Sequence, residues 1–445
     1  MKFQNSFPLF FTAIFIALSS QLSFAQMQKR EYYDEAKRVL KEEYYVKLED
    51  MNTLHGEYKR YYEDGDLAAK GFFRDGLKDT TFLEFYPNGN TKIIATYKDG
   101  KKEGPLEIYD MDGRILQKAY FKEDKLQDEI SGYYENGNVR IIGKFKDGKP
   151  EGLINEYYSN GNLRSEIFYE NTHQHGPAKL YYPNGVLMVE QTYNKGVLSG
   201  NFKTYFPSGK LETEGVHDDG EKNGVFTTYA ESGQKLLESH YSNGLMNGQA
   251  KGWYRNGNLK YQLNYKDGSK IGKCYKYYDD GSNMELAVYK NDEADVKITG
   301  YWNDGTIKYK KQVKDKINSG TWQYFNEQAI LVKKEPYKKG KLYGEVISYY
   351  DHGATKKVET FVHGNANGEA TVYHANGEVK EKYLNRRGKI HGEYIAFHDD
   401  GKKAVKGQYI LGMKNGLWQY FDENGNLIKE ESYKRNKLTS EKTVK

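Results

Sequence analysis

The sequence predicts an all-β fold: an elongated, single-sheet antiparallel meander of sixteen 24-residue β-hairpin repeats, twisted or curved, with a short N-terminal helical cap. Three observations carry that reading. Aligned on Gly56 and stepped by 24, the chain has unit starts from 56 to 416 without insertion or deletion; thirteen are Gly, and the exceptions are Thr80, Asp128 and Val296. Five residues after every start stands an aromatic, from Tyr61 to Phe421, and nine after it a Gly, from Gly65 to Gly425, with Ala329 the one departure. Composition agrees: 46 Gly, 42 Tyr, 15% aromatic residues and a mean hydropathy of -0.90 leave too little aliphatic material for a thick core and too many rings for disorder.

Residues 1–25 have the layout of a cleaved signal peptide: Lys2, an apolar run from Phe7 to Leu18, then Ser23-Phe24-Ala25 ahead of Gln26. Pro8 and Thr12 interrupt the run, which is shorter than the ~20 residues that a bilayer span needs. Export is therefore expected, to the periplasm, the outer surface or the medium. Residues 26–55 break the period, and Tyr32, Tyr33, Ala36, Val39, Leu40 and Tyr44 recur at helical spacing, so a partly helical cap is expected there. Such a cap would shield the first edge strand.

Within residues 56–439 each unit reads as strand, turn, strand. The second Gly follows Asn or Asp in most units, as in Asn136-Gly137 and Asp64-Gly65, and these pairs favour tight hairpin turns with positive φ. The returning strand carries an apolar residue such as Leu67, Val139, Leu163 or Leu427, then an aromatic such as Phe73, Tyr97 or Tyr433. A second turn, such as Asp99-Gly100, leads into the next unit. About 32 strands at ~4.8 Å spacing would make a ribbon on the order of 150 Å long. Residues 440–445 are a short charged tail.

The pattern G-x-x-x-x-Y-Y-x-N-G-x-L, followed by an aromatic and a second Gly turn, resembles the MORN repeat, in the variant found in exported bacterial and antitoxin-like proteins. The pairs His55-Gly56, His175-Gly176 and His391-Gly392 resemble the His-Gly of the ordinary MORN unit. The resemblance implies a scaffold or interaction module, in some members one that meets membrane lipid, and no catalysis by the repeats. The segment Gly416 to Phe421 also looks like the aromatic hairpins of choline- and glucan-binding wall repeats, but those are shorter and depend on recurrent Trp, of which this chain has 4.

A strict repeat lines up like groups in rows, whereas an active site needs unlike groups converging, so neither an enzyme nor a cofactor is expected. His374 and His398 share a phase one unit apart, ~10 Å by strand spacing, too far to share a metal ion. His173 and His175 are two ligands without a third, and no metal site is expected. Cys274 falls in a core phase that other units fill with Tyr58, Phe82 or Trp418. A net charge of +5 gives no reason to expect nucleic acid.

Two surfaces remain as binding candidates. The second ring of each aromatic doublet, at Tyr62, Tyr86, Tyr134, Tyr158, Tyr182, Tyr254, Trp302 and Tyr350, could stack on sugars, peptides or headgroups, or simply tie the sheet together. The loops between units are net basic and the turns within units net acidic. Lys338, Lys339, Lys341, Arg386, Arg387, Lys389, Lys434, Arg435 and Lys437 dominate the basic loops, either as strand-end gatekeepers or as a docking edge. The expected function is an exported, non-enzymatic scaffold or protein-binding protein, with an antitoxin- or immunity-like role as a special case. A glycan- or wall-binding protein is the alternative, and attachment to an anionic membrane surface the third.

Overall fold

The computed structural model describes residues 26–291 and 293–444, and the signal-peptide reading of residues 1–25 lies outside them. The described residues contain no helix: 38 strands form an antiparallel sheet that does not close. Three of these strands are two-residue starts, such as Glu221–Lys222, of a strand that resumes one residue later. Counted with their continuations, the strands from Leu54 to Lys434 number two for each of the sixteen units. The described residues divide into two compact units, one within Met1–His175 with Pro183–Gly185, the other within Gly176–Tyr182 and Val186–Lys445.

The helical cap expected in residues 26–55 is not there. Gln26–Tyr32 and Leu40–Lys47 are strands paired with each other, and the second of them pairs with Leu54–Tyr61. The helical spacing competes with a period of two in Leu40-Lys41-Glu42-Glu43-Tyr44-Tyr45-Val46-Lys47, which buries Val46 to 1% exposure and leaves Lys41 and Lys47 on the other face. Pairing with the open edge at Leu54–Tyr61 satisfies the backbone groups of both strands, and that tertiary gain overrides a local helical preference. Tyr33 continues the repeat's pattern into this hairpin, its hydroxyl donating to the Tyr61 carbonyl at 2.9 Å. At the other end Lys437–Thr443 is a further strand, exposed throughout and paired with Leu427–Lys434.

The two turn types differ. Within a unit, the Tyr62 N–H donates to the Asp66 carbonyl and the Gly65 N–H to the Tyr62 carbonyl, at 2.8 and 3.0 Å. This is a three-residue loop in which Gly65 takes φ +93 while Asp64 does not enter the left-handed region. Positive φ is thus required at the Gly and not at the Asn or Asp before it. That residue works through its side chain: Asn88 Oδ1 accepts the Asn90 N–H at 3.0 Å, and Asn88 Nδ2 donates to the Met111 carbonyl of the next unit at 2.8 Å. Between units the turn has two residues, both left-handed, as at Asp75 (φ 53) and Gly76 (φ 82), with Arg74 opposite Leu77. Here the aspartate itself must tolerate positive φ.

The three units that lack the first Gly solve the problem in two ways. Thr80 and Asp128 adopt the left-handed conformation anyway, at φ 63 and 57. Val296 does not, and its strand Asp295–Tyr301 pairs with Asn283–Lys290 without the register shift seen in other units. Ala329 stands where fifteen units place the turn Gly and is held at φ 60. Ala329→Gly should therefore stabilise its hairpin by ~1 kcal/mol, read as slower hydrogen exchange at Ile317–Phe325 and Leu331–Lys338.

The core lies on one face. Strands alternate their side chains, so the third, sixteenth and eighteenth residues of the units share a face, and the third residue sits over the sixteenth of the preceding unit, as Leu106 over Ala95 and Ile298 over Ala287. In the first compact unit Ala95, Leu106 and Ala119 are buried there, against Tyr97 and Phe121. In the second, Cys274, Ala287 and Val296 form a similar cluster with Tyr289 and Val313. Rings meet edge to face along this row: Tyr58, Phe73, Phe82 and Tyr97 at 5.4, 5.3 and 5.5 Å, and Phe202, His217, Phe226 and Tyr241 at 5.3, 5.2 and 5.5 Å. Such contacts favour the ring quadrupoles and compensate for a core only one layer deep.

Candidate interaction surfaces

The tyrosine row is first of all a set of struts. The hydroxyls of Tyr62, Tyr86, Tyr134, Tyr182, Tyr254 and Tyr350 donate to the carbonyls of Phe85, Tyr109, Tyr157, Tyr205, Tyr277 and Tyr373, 23 residues on, at 2.7 to 2.9 Å. Trp302 does the same through Nε1 to Phe325 at 3.2 Å, and Tyr158 occupies the same phase. Lysines roof several of these rings: Lys92 over Tyr86, Lys260 over Tyr254, Lys308 over Trp302 and Lys356 over Tyr350, at 5.6, 5.5, 4.1 and 5.5 Å. The polar tip that would recognise a sugar is therefore engaged by the backbone, and the four roofed rings offer only part of their faces.

His374 and His398 belong to this row, which is why they share a phase. Their Nε2 atoms face the Phe397 and Phe421 carbonyls at 3.2 and 3.1 Å, the place of the tyrosine hydroxyl in other units. Histidines before the first Gly have another role. His55 Nδ1 accepts the Asp75 N–H at 3.3 Å, and His391 Nδ1 the Leu411 N–H at 3.4 Å, so each holds the next between-unit turn. Gln127 and Asp295 do the same in their units, accepting from Asp147 and Asp315 at 3.0 Å. This residue, twenty positions ahead of the turn it serves, escapes a sequence reading because its partner lies just past the end of the neighbouring strand.

Cys274 is 3% exposed in the core row, and burial pushes its thiol pKa up, away from nucleophilic character. Burial likewise raises Tyr58 and Tyr394 to about 12. His217 replaces a ring in the ladder, and burial, followed by Lys222, lowers its pKa and favours the neutral form.

Toward the C-terminus the sixteenth position turns ionic, a feature that composition hides. Glu335 accepts the Tyr324 and Tyr337 hydroxyls at 3.1 and 3.2 Å and pairs with Lys333 at 2.6 Å. Glu431 repeats the arrangement with Tyr420, Tyr433 and Lys429 at 2.6, 2.9 and 2.6 Å. The recurrence of Lys-x-Glu-x-Tyr at 333–337 and 429–433 is the signal that could have found it.

The nine cations of the basic edge are all exposed and lie in three between-unit turns. Lys338 stands opposite Lys341, Arg386 opposite Lys389 and Lys434 opposite Lys437, with Lys339, Arg387 and Arg435 at the tips, φ 50, 52 and 49. Like charges placed directly across a ladder oppose pairing. The first compact unit has the same flanking pairs at Lys98 and Lys101 and at Lys146 and Lys149, but with Asp99 and Asp147 at the tips.

The opposite face of the sheet carries exposed apolar side chains. In the first compact unit Leu153 lies directly across from Phe168, and the two are 45% and 41% exposed; Tyr120, 43% exposed, lies across from Pro105.

A family model described as a MORN repeat variant matches residues 54–75, 78–99, 129–147, 150–171, 174–195, 198–219, 222–243, 246–267, 366–384, 390–410 and 414–435. The hairpin register continues through 268–365, where the model does not match. No curated protein matches the chain. Among solved structures, a TcdB2-TccC3-Cdc42 crystal structure aligns at 10% identity and a TM-score of 0.15, over 93% of this chain and 30% of that one. A Photorhabdus luminescens Tc holotoxin pore aligns at 12% and 0.13, over 90% and 23%. The chain spans less than a third of the length of either, and scores this low give no shared architecture to argue from.

Proposed function

The chain belongs to the MORN repeat variant family, and on that premise we propose that it is an exported, non-enzymatic scaffold that binds a protein partner on the uncovered face of its sheet. A neutralising, antitoxin-like role is the narrower form of the same reading. The observation that carries it is the exposed cross-strand pair Leu153 and Phe168, with Tyr120 on the same face. An apolar pair that no layer covers and no local fold requires is the centre of a protein contact, and the regular strands around it hold it rigidly. The tyrosine row supports a glycan reading less well, because its hydroxyls serve the backbone.

A pull-down from envelope fractions, run beside a glycan array, tests the choice. Leu153→Ser with Phe168→Ser should abolish recovery of the partner while the thermal midpoint moves little, since both side chains already face solvent. Retention of the partner by this double variant would reject the face. A saturable glycan signal lost with Tyr86→Ala would replace the protein-binding reading altogether.

A further inference from the structure

The uncovered face of the sheet is not uniform along its repeats. The second residue of each repeat lies on that face, and its type changes from one repeat to the next, except in three consecutive repeats of the second compact unit, where it is Glu345, Glu369 and Glu393. They stand directly across their ladders from Thr360, Leu384 and Gln408. All three glutamates are exposed. Among the described residues Glu345 and Glu369 form no ion pair, and Glu393 meets Lys406 at 2.9 Å. Successive carboxylates are two strands apart, ~9.6 Å.

A second row runs beside the first: Ile347, Val358, Thr371, Lys382, Ile395 and Lys406 lie each directly across from the next. Between the rows opens a cavity of about 360 Å³, whose lining includes Glu369, Thr371, Lys382, Leu384, Glu393 and Ile395. Leu384 is 46% exposed in it. A face on which exposed apolar side chains alternate with carboxylates at a fixed interval is complementary to a ligand that alternates apolar and cationic groups at the same interval.

The interval selects the ligand's conformation. A polyproline II segment rises ~3.1 Å per residue and returns to the same side every third residue, ~9.3 Å on, so that cations at every third position fall on successive carboxylates to within ~0.3 Å. An α-helix returns after seven residues, ~10.5 Å on, and is ~2 Å out of step by the third carboxylate. A β-strand repeats at ~6.7 Å and misses the second carboxylate altogether. A polyproline segment has no internal hydrogen bonds and bends with the twist of the sheet, which a straight helix does not.

We propose that the face over Glu345, Glu369 and Glu393 binds an extended, polyproline-type segment of a protein partner that carries a basic residue at every third position, with its intervening apolar residues on Leu384 and on the Ile347 and Val358 pair. Lys382 is exposed and forms no ion pair among the described residues, so it repels a ligand whose cations stray from the glutamate row. The proposal rests on the reading that the uncovered face takes a protein, and it gives the partner's chemistry on a patch in the other compact unit from Leu153 and Phe168.

Fluorescence anisotropy of the full chain with a labelled seven-residue peptide, arginine at positions one, four and seven and proline elsewhere, is the test, beside an isomer with its three arginines together at one end. The spaced peptide should bind more weakly as salt rises, and on the order of tenfold tighter than the isomer. Glu345→Gln combined with Glu369→Gln should lower its affinity on the order of tenfold, and Lys382→Gln should raise it about threefold. These side chains are exposed, so the variants should keep the parent's thermal midpoint, and a changed affinity is then not a change of fold. The proposal is overturned if the two isomers bind alike, if the double variant binds like the parent, or if Lys382→Gln weakens binding. Tighter binding of a helical peptide with arginine at every seventh position would overturn it in favour of a helix. Recovery of a partner that depends on Leu153 and Phe168, without binding of the spaced peptide, would reject this proposal and leave the broader reading in place.

Discussion

Trp418→Ala should cost ~3–5 kcal/mol, and Gly407→Val nearly as much. Trp418 is 1% exposed and sits among Tyr409, Tyr394 and Tyr433 at 5.0, 5.7 and 6.3 Å, with the Lys414 ammonium 4.3 Å from its ring centroid. The indole lies on the backbone of Gly407, where a Cβ would come within 2.2 Å of it. A glycine under a ring recurs at Gly71 under Phe82 and Gly215 under Phe226, both at 2.5 Å. Gly407→Val alone would drive the indole out of the row, while the same valine combined with Trp418→Ala would refill part of the cavity. The double variant should therefore be more stable than the sum of the singles predicts, by ~1–3 kcal/mol. A long repeat array need not unfold in one step, so hydrogen exchange at Lys403–Ile410 and Met413–Phe421 is the appropriate readout. Faster exchange confined to these strands and their neighbours is expected, and an unaltered Gly407→Val would show that the ring does not need the glycine.

The period made the architecture legible because a hairpin array writes the same local instruction in every unit: Gly where φ is positive, rings where strands cross. Residues 26–55 were misread for the complementary reason. Leu40–Lys47 exists by pairing with Leu54–Tyr61 and Gln26–Tyr32 by pairing with Leu40–Lys47, and helical spacing in isolation says nothing about an edge waiting to be paired. The surfaces divide in the same way. That Tyr62 and its successors form a row is plain from the sequence, but that each hydroxyl reaches a carbonyl 23 residues later is a fact of strand spacing. The like-charged pairs Lys338 with Lys341 and Arg386 with Lys389 could be counted as basic loops, but only the ladder register shows that they face each other.

Acid should release the C-terminal strand before the rest of the sheet, and Glu431 is the group that sets the window. Its side chain is buried and takes hydrogen bonds from Lys429, Tyr420 and Tyr433, while Lys429 also reaches Glu441 in the last strand at 2.9 Å. The Lys429 ammonium first, then the Tyr420 hydroxyl, hold the Glu431 carboxyl down at about 2, against an ordinary 4.5. Because the folded value lies below the unfolded one, the stabilisation is complete above the unfolded value and is lost as pH falls from there toward the folded value. Hydrogen exchange at Lys437–Thr443 should therefore accelerate as pH is lowered from about 4.5 to about 2, after correction for the intrinsic rate. Glu431→Gln should weaken the last hairpin by about 2 kcal/mol at neutral pH, because two hydroxyls and an ammonium lose a charged acceptor. It should also flatten the pH dependence, since an amide has no proton to gain. Glu335 has the same partners in the interior of the array, where both neighbouring strands are held, so Glu335→Gln should leave the profile of Lys437–Thr443 unchanged. An identical acid profile in Glu431→Gln and the parent would assign the release to another carboxylate, with Glu441 the next to test.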